Sequence, residues 1–174
     1  MKKSTTEARR NNEPTRLNFA TILVPMILAL LALTVLPVGA QSAELKTEFL
    51  GAQQGFSHIA KTTIGGVTTI YIAGQVGFAE GASEPGADLG EQAEIAFTNV
   101  LKRLEQAGAG IEDLIKTTVY IKDIDPSKVG VVGAAQGKIF KRDTPPVSTW
   151  VGVTGLVYPQ LLIEVEATAV VAAP

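Results

Sequence analysis

Thr144–Val171 reads TPPVSTWVGVTGLVYPQLLIEVEATAVV, and its second half decides the fold. Leu161, Ile163, Val165, Ala167, Ala169 and Val171 alternate with Glu164, Glu166 and Thr168. A period of two sustained over this length, rich in Val and Ile, predicts a strand with one face on a core. A slip of one residue would bury the glutamates, so the register is strongly specified. Ser148–Val153 reads as a shorter strand entered through Pro145-Pro146. Glu164 and Glu166 therefore share the face turned away from the core. Two carboxylates so placed are either a solvated sheet face or the chemical centre of the segment.

Working outward, His58–Ile64 and Thr68–Ala73 flank Gly65-Gly66, a hairpin turn signal, and Glu48–Leu50 is a short edge-strand candidate. In the second strand Thr69, Tyr71 and Ala73 oppose Ile70 and Ile72, with either set available to the core. Gly77–Gly90 is a Gly-, Ala- and acid-rich loop. From Glu91 the period changes. Ala93, Ala96, Phe97, Val100, Leu101 and Leu104 lie three or four apart and Gly108 stands at the C-terminal cap position, which predicts an amphipathic helix. Leu114–Asp123 returns to period two, with Ile115, Thr117, Val119 and Ile121 opposing Lys116, Thr118, Tyr120 and Lys122. Asp125 followed by Pro126 starts a second helix. Its apolar face would be Val129, Val132, Ile139 and Phe140, and Gly130, Gly133 and Gly137 imply close approach to the sheet or else a loose, interrupted helix. The order β-β-α-β-α-β predicts one α+β domain: a single sheet with two helices on one face. Nothing in the chain remains to cover the other face, and self-association would bury it.

The 174 residues are 46% hydrophobic and 18% charged, a composition able to build a core. No cysteine is present, which excludes disulfides, thiolate metal sites and a cysteine nucleophile. Residues 1–40 carry five basic and two acidic side chains, and the remainder ten basic and fifteen acidic, so the main body is net −5. An acidic body without a basic stripe argues against nucleic acid. Leu17–Val38 is uncharged, follows basic residues, and leads to small residues at Val38 and Ala40. That pattern predicts a signal peptide over 1–40, with an uncleaved anchor as the alternative, and a mature domain over 41–174 in a periplasmic or secreted setting. The membrane is then a partner only through this N-terminal segment.

The Pro-Pro-x-Ser-Thr-x-Val stretch and the following Leu-Ile-Glu-Val-Glu-Ala-Thr-Ala-Val resemble the C-terminal signature of the RidA/YjgF family of enamine and imine deaminases. The likeness runs from Gly55 to Val171. Gly55-Phe56-Ser57-His58 is similar to the family's opening motif, and Ile70–Val76 to its V-Y-V-S-G-Q-I strand. Glu91-Gln92 with Ala96, Asn99 and Leu104 resembles its helix, and Asp113–Tyr120 its D-V-V-K-T-T-V-Y strand. The resemblance implies a chorismate-mutase-like α+β fold in homotrimers, with ligand pockets at subunit interfaces. It also implies hydrolysis of imines or enamines without metal or cofactor.

Carried over residue by residue, Glu164 matches the glutamate that positions water, and Gly74 the backbone at the site. Ser148 falls where active relatives have a substrate-clamping arginine, Ala73 where they have serine, and Phe56 where they have tyrosine. No Arg or Lys within the motif replaces the missing cation, and with Trp150 beside it such a pocket would favour a neutral or cationic small ligand. His58, the single imidazole, reads as a structural or surface residue, and Asp123 and Asp125 as turn and cap residues. Two functions follow. One is an exported hydrolase of small imines using water held by Glu164, weak on 2-aminoacrylate. The other is a non-catalytic trimeric ligand-binding protein.

Overall fold

The computed structural model of the chain describes residues 43–140 and 143–172. The predicted signal peptide, its cleavage point, and Lys141 and Arg142 lie outside the described residues. Six strands and two helices follow in the order β1 (Lys46–Gln53), β2 (Phe56–Ile64), β3 (Val67–Val76), α1 (Leu89–Gln106), β4 (Leu114–Lys122), α2 (Pro126–Ile139), β5 (Val147–Val153) and β6 (Ile163–Ala172). They form one sheet in the spatial order β1-β2-β3-β6-β4-β5. Every neighbouring pair is antiparallel except β4–β5, which is parallel. Gly65 and Gly66 turn the β2–β3 hairpin with φ of 56° and 79°, a left-handed pair that side chains resist.

β6 is central and keeps the expected register. Ile163, Val165, Ala167 and Ala169 are buried, while Glu166 stays exposed. Against them pack Ile59, Ile70 and Ile72 of the hairpin, Val119 and Ile121 of β4, and the α1 stripe Ala93, Ala96, Phe97, Val100 and Leu104. The two alternatives for β3 are thus resolved: Ile70 and Ile72 enter the core, and Tyr71 faces outward, half exposed. Phe97 and Phe140 meet edge to face at 5.0 Å, linking α1 to the end of α2. Each fully buried large apolar side chain contributes roughly 1.5–3 kcal/mol.

Three expectations need correction. Ile115 is 48% exposed, because the β4–β6 ladder shifts between Leu114 and Lys116 and Leu114 takes the core position. Val129 is exposed, and Ala135 joins Val132 and Phe140 on the buried side of α2. The α2 glycines are not points of close approach. A Cβ at Gly130 or Gly137 would meet nothing within 4 Å, and one at Gly133 only Trp150 Cη2 at 3.8 Å. Asp125 caps α2, accepting from the Ser127 and Lys128 amides at 2.8 and 3.1 Å.

The face opposite the helices remains open among the described residues. Phe49, Ala60, Tyr71 and Thr168 stand in register across β1, β2, β3 and β6 on that side, and Phe49 is 64% exposed.

Candidate functional site

The ladder between β3 and β6 breaks between Ile72 and Gln75. Gln75 accounts for the break. It is buried, and its Nε2 donates to the Ala73 and Gly74 carbonyls at 2.8 and 3.2 Å, satisfying oxygens that the bulge takes out of ordinary pairing. Glu164 stands across the ladder from Val76 on one side and Tyr120 on the other. Its carboxyl lies directly on Gly74. A Cβ at that position would overlap Oε1 and come within 2.6 Å of Cδ and 2.8 Å of Cγ, so only glycine leaves the carboxyl its seat.

Glu164 is half-buried on the face away from the helices. Burial raises its proton affinity above the usual carboxylate range, and the charge of Glu166 adds to the effect. Tyr120 donates its hydroxyl to Glu166 Oε2 at 3.1 Å, and burial and that bond hold the phenol above its ordinary value. A carboxyl whose proton affinity is raised can take a proton from water and return it.

The other predicted site residues do not all join Glu164 within one protomer. Ala73 adjoins Gly74 and offers the site no hydroxyl. Ser148 and Trp150 lie on the opposite, helix-covered face: Ser148 pairs in register with buried Thr117, and Trp150 packs against the core. Ser148 Oγ accepts from Thr117 Oγ1 at 2.9 Å and from Trp150 Nε1 at 3.0 Å. Phe56 is exposed near the β1–β2 end of the sheet, in a shallow groove with Phe49 and Gly55. A pocket using Glu164 together with Ser148 and Trp150 thus requires two copies of the chain.

Sequence reasoning missed a cleft of about 310 Å³ between the β2–β3 hairpin and α1. Gly74 and Gln75 line it from the sheet, Asn99, Lys102, Arg103 and Gln106 from α1, and His58 from β2. Arg103 brings a cation to this cleft from a helix and not from the strand motif. Arg103 Nε donates to Gln75 Oε1 at 3.3 Å, and one terminal nitrogen donates to Gln106 Oε1 at 2.8 Å. His58, read as structural or superficial, also belongs to this cleft. Phe56 meets its ring edge to face at 5.1 Å. Burial lowers the imidazole's proton affinity and Arg103 lowers it further. Arg103 follows Val100 by three residues and Ala96 by seven, so the rim of the apolar stripe was a signal that could have found it.

A single α+β sheet with two helices on one side and a bulged strand beneath a half-buried carboxyl defines the class, and comparison places the chain within it. A family model described as "Endoribonuclease L-PSP" matches residues 47–171, and the chain belongs to this family, which includes the RidA/YjgF proteins. It is 35% identical over 79 residues to the RutC family protein slr0709 of Synechocystis, covering 45% of this chain and 58% of that one. The match therefore spans little more than half the length of this curated relative. Among solved structures it is similar to Rv2704, a YjgF/YER057c/UK114 family member from Mycobacterium tuberculosis, at 30% identity and a TM-score of 0.58, covering 72% and 100% of the two chains. It is also similar to Escherichia coli TdcF with bound serine, at 26% identity and a TM-score of 0.60, covering 70% and 92%. The family is typically homotrimeric and binds small ligands.

Proposed function

We propose that this chain is a Rid-type hydrolase of small imines, in which Glu164 activates water at a site completed by a second protomer of a homotrimer. The observation that carries this reading is the half-buried Glu164 carboxyl on Gly74, with its proton affinity raised. Water adds to the imine carbon as Glu164 takes its proton, and the C=N electron pair passes to nitrogen, which is protonated. Collapse of the carbinolamine forms the carbonyl and expels ammonia, with the proton returned through Glu164. The substrate favoured is one without a carboxylate. Ser148 stands in place of the family arginine and already accepts two hydrogen bonds, and Glu164 and Glu166 oppose an anion.

The charge-assisted hydrogen bond that an arginine would offer in place of Ser148 is worth roughly 1.5–3 kcal/mol, or about 10- to 150-fold in binding. The test is ammonia release above the spontaneous rate across a panel of neutral imines and 2-aminoacrylate. Turnover of neutral imines with weak action on 2-aminoacrylate is expected. Action on 2-aminoacrylate at an arginine-bearing relative's rate would overturn the preference. Binding without turnover on any member would favour the second reading, a trimeric ligand-binding protein. That reading has the apolar or shortened side chains at Phe56, Ala73 and Ser148, where the family has polar ones, in its support. The family description names an endoribonuclease, but the net −5 of the main body opposes a polyanionic substrate.

Export through residues 1–40 belongs to the same proposal. Mass spectrometry of protein from its host should find a new N-terminus near Gln41, and a full-length cytoplasmic product would contradict it. The open face carrying Phe49 and Tyr71 supports trimer formation. Light scattering should give three times the chain mass, and a clean monomer would remove the second half of the site.

A further inference from the structure

The cleft between the β2–β3 hairpin and α1 has a chemistry that imine hydrolysis at Glu164 does not use. Glu164 does not line this cleft, although Gly74 borders both. Arg103 is partly buried and makes no ion pair among the described residues. Its bonds run to the neutral amides Gln75 and Gln106, which fix the guanidinium without neutralising it. Lys102 also lines the cleft but is paired with Glu80 at 3.3 Å at the exposed rim. Asn99 commits its amide to the Val76 and Phe78 carbonyls at 3.2 and 2.9 Å, holding the strand exit in place. His58 Nδ1 is buried and has no hydrogen-bond partner among the described residues. The cleft thus presents a preoriented, unneutralised guanidinium with the imidazole of His58 in its wall.

We propose that this cleft is a second ligand site, which takes a small monoanion of the carboxylate class between Arg103 and His58. A planar two-oxygen anion matches the guanidinium fork, and its charge is balanced by Arg103 alone. The imidazole of His58, in the cleft wall, then donates an N–H to one oxygen. About 310 Å³ is the size of a small-molecule site. The site does not depend on hydrolysis at Glu164, and its test reads binding, not turnover.

His58 is the only histidine in the chain, so its ring protons report on the cleft without assignment ambiguity. The charged groups lining the cleft with it are Arg103, Lys102 and Glu80. The experiment follows the His58 C2–H shift of the purified protein by NMR against pH, with and without acetate, chloride holding ionic strength constant. The free protein should titrate below the ordinary imidazole value of about 6.5. Saturating acetate should raise that value, since the anion offsets Arg103 and accepts from the charged ring, and methylammonium should leave it unchanged. R103Q should start from a higher value and lose the acetate response, with affinity lower by roughly 10- to 100-fold. R103K keeps a point charge and should retain a weaker response, which separates loss of the site from loss of the fold. No acetate-dependent shift in the wild-type protein, or an equal shift in R103Q, would overturn the proposal.

Discussion

Replacing Gly74 with alanine places one methyl group where the Glu164 carboxyl now sits. The new Cβ would overlap Oε1 and stand 2.6 Å from Cδ and 2.8 Å from Cγ, so the side chain must leave. What must move is the flexible end of a half-exposed residue, not backbone. The stability cost should therefore fall at the low end of the overpacking range, about 1 kcal/mol, or roughly 2–8 °C in Tm. The catalytic cost should be much larger, because misplacing a reacting group by about 1 Å can lower the rate roughly 100-fold. Once displaced into solvent, Glu164 also loses the desolvation that raises its proton affinity. The assay pairs thermal unfolding with ammonia release from a neutral imine and with carboxyl-carbon NMR of Glu164. The expected result is a folded protein, a rate lower by about 100-fold, and a Glu164 titration displaced towards the ordinary carboxylate range. Gly74→Ala that keeps both the wild-type rate and the raised titration would refute the reasoning.

The other predictions address charge and packing. Glu166→Gln removes the charge that supplements burial at Glu164 and should move the acidic limb of the pH–rate profile to lower pH; an unmoved limb would show that Glu166 does not reach the reacting carboxyl. Glu164 is raised in the folded state, so its contribution to stability is present below its unfolded pKa and is lost as pH rises through the folded value. Glu164→Gln, permanently neutral, should therefore unfold at a higher temperature than wild type at neutral pH, with the difference vanishing in acid. Gln92 is buried, donates to the Gly86 and Gln160 carbonyls at 3.0 and 3.1 Å, and accepts from the Leu162 amide at 2.9 Å. Gln92→Leu leaves those groups unpaired and should cost at least ~2 kcal/mol, read as a lowered denaturant midpoint.

Legibility in the sequence followed the reach of each pattern. The β6 alternation and the α1 stripe were readable because one face of each element meets a core and the other does not. Ile115 was misplaced because a bulge at the start of β4 shifts the alternation, and nothing in Leu114-Ile115-Lys116 marks it. Glu164 and Gly74 were both legible as site residues, but their contact depends on the β3–β6 register, which pairs residues some ninety positions apart. Ser148 and Trp150 were grouped with Glu164 through the family resemblance, whose pockets lie between subunits, and within one protomer β5 turns both to the helix-covered face. His58 and Arg103 come from different elements, and only the packing of α1 on the hairpin brings both into one cleft.

The most direct test compares wild type with Glu164→Gln in ammonia release from a carboxylate-free imine, at matched oligomeric state and near-neutral pH. General acid–base catalysis by a placed carboxyl supplies about 10²- to 10⁴-fold, so the variant should fall by at least ~100-fold while its Tm does not fall. A variant as fast as wild type would contradict water activation by Glu164.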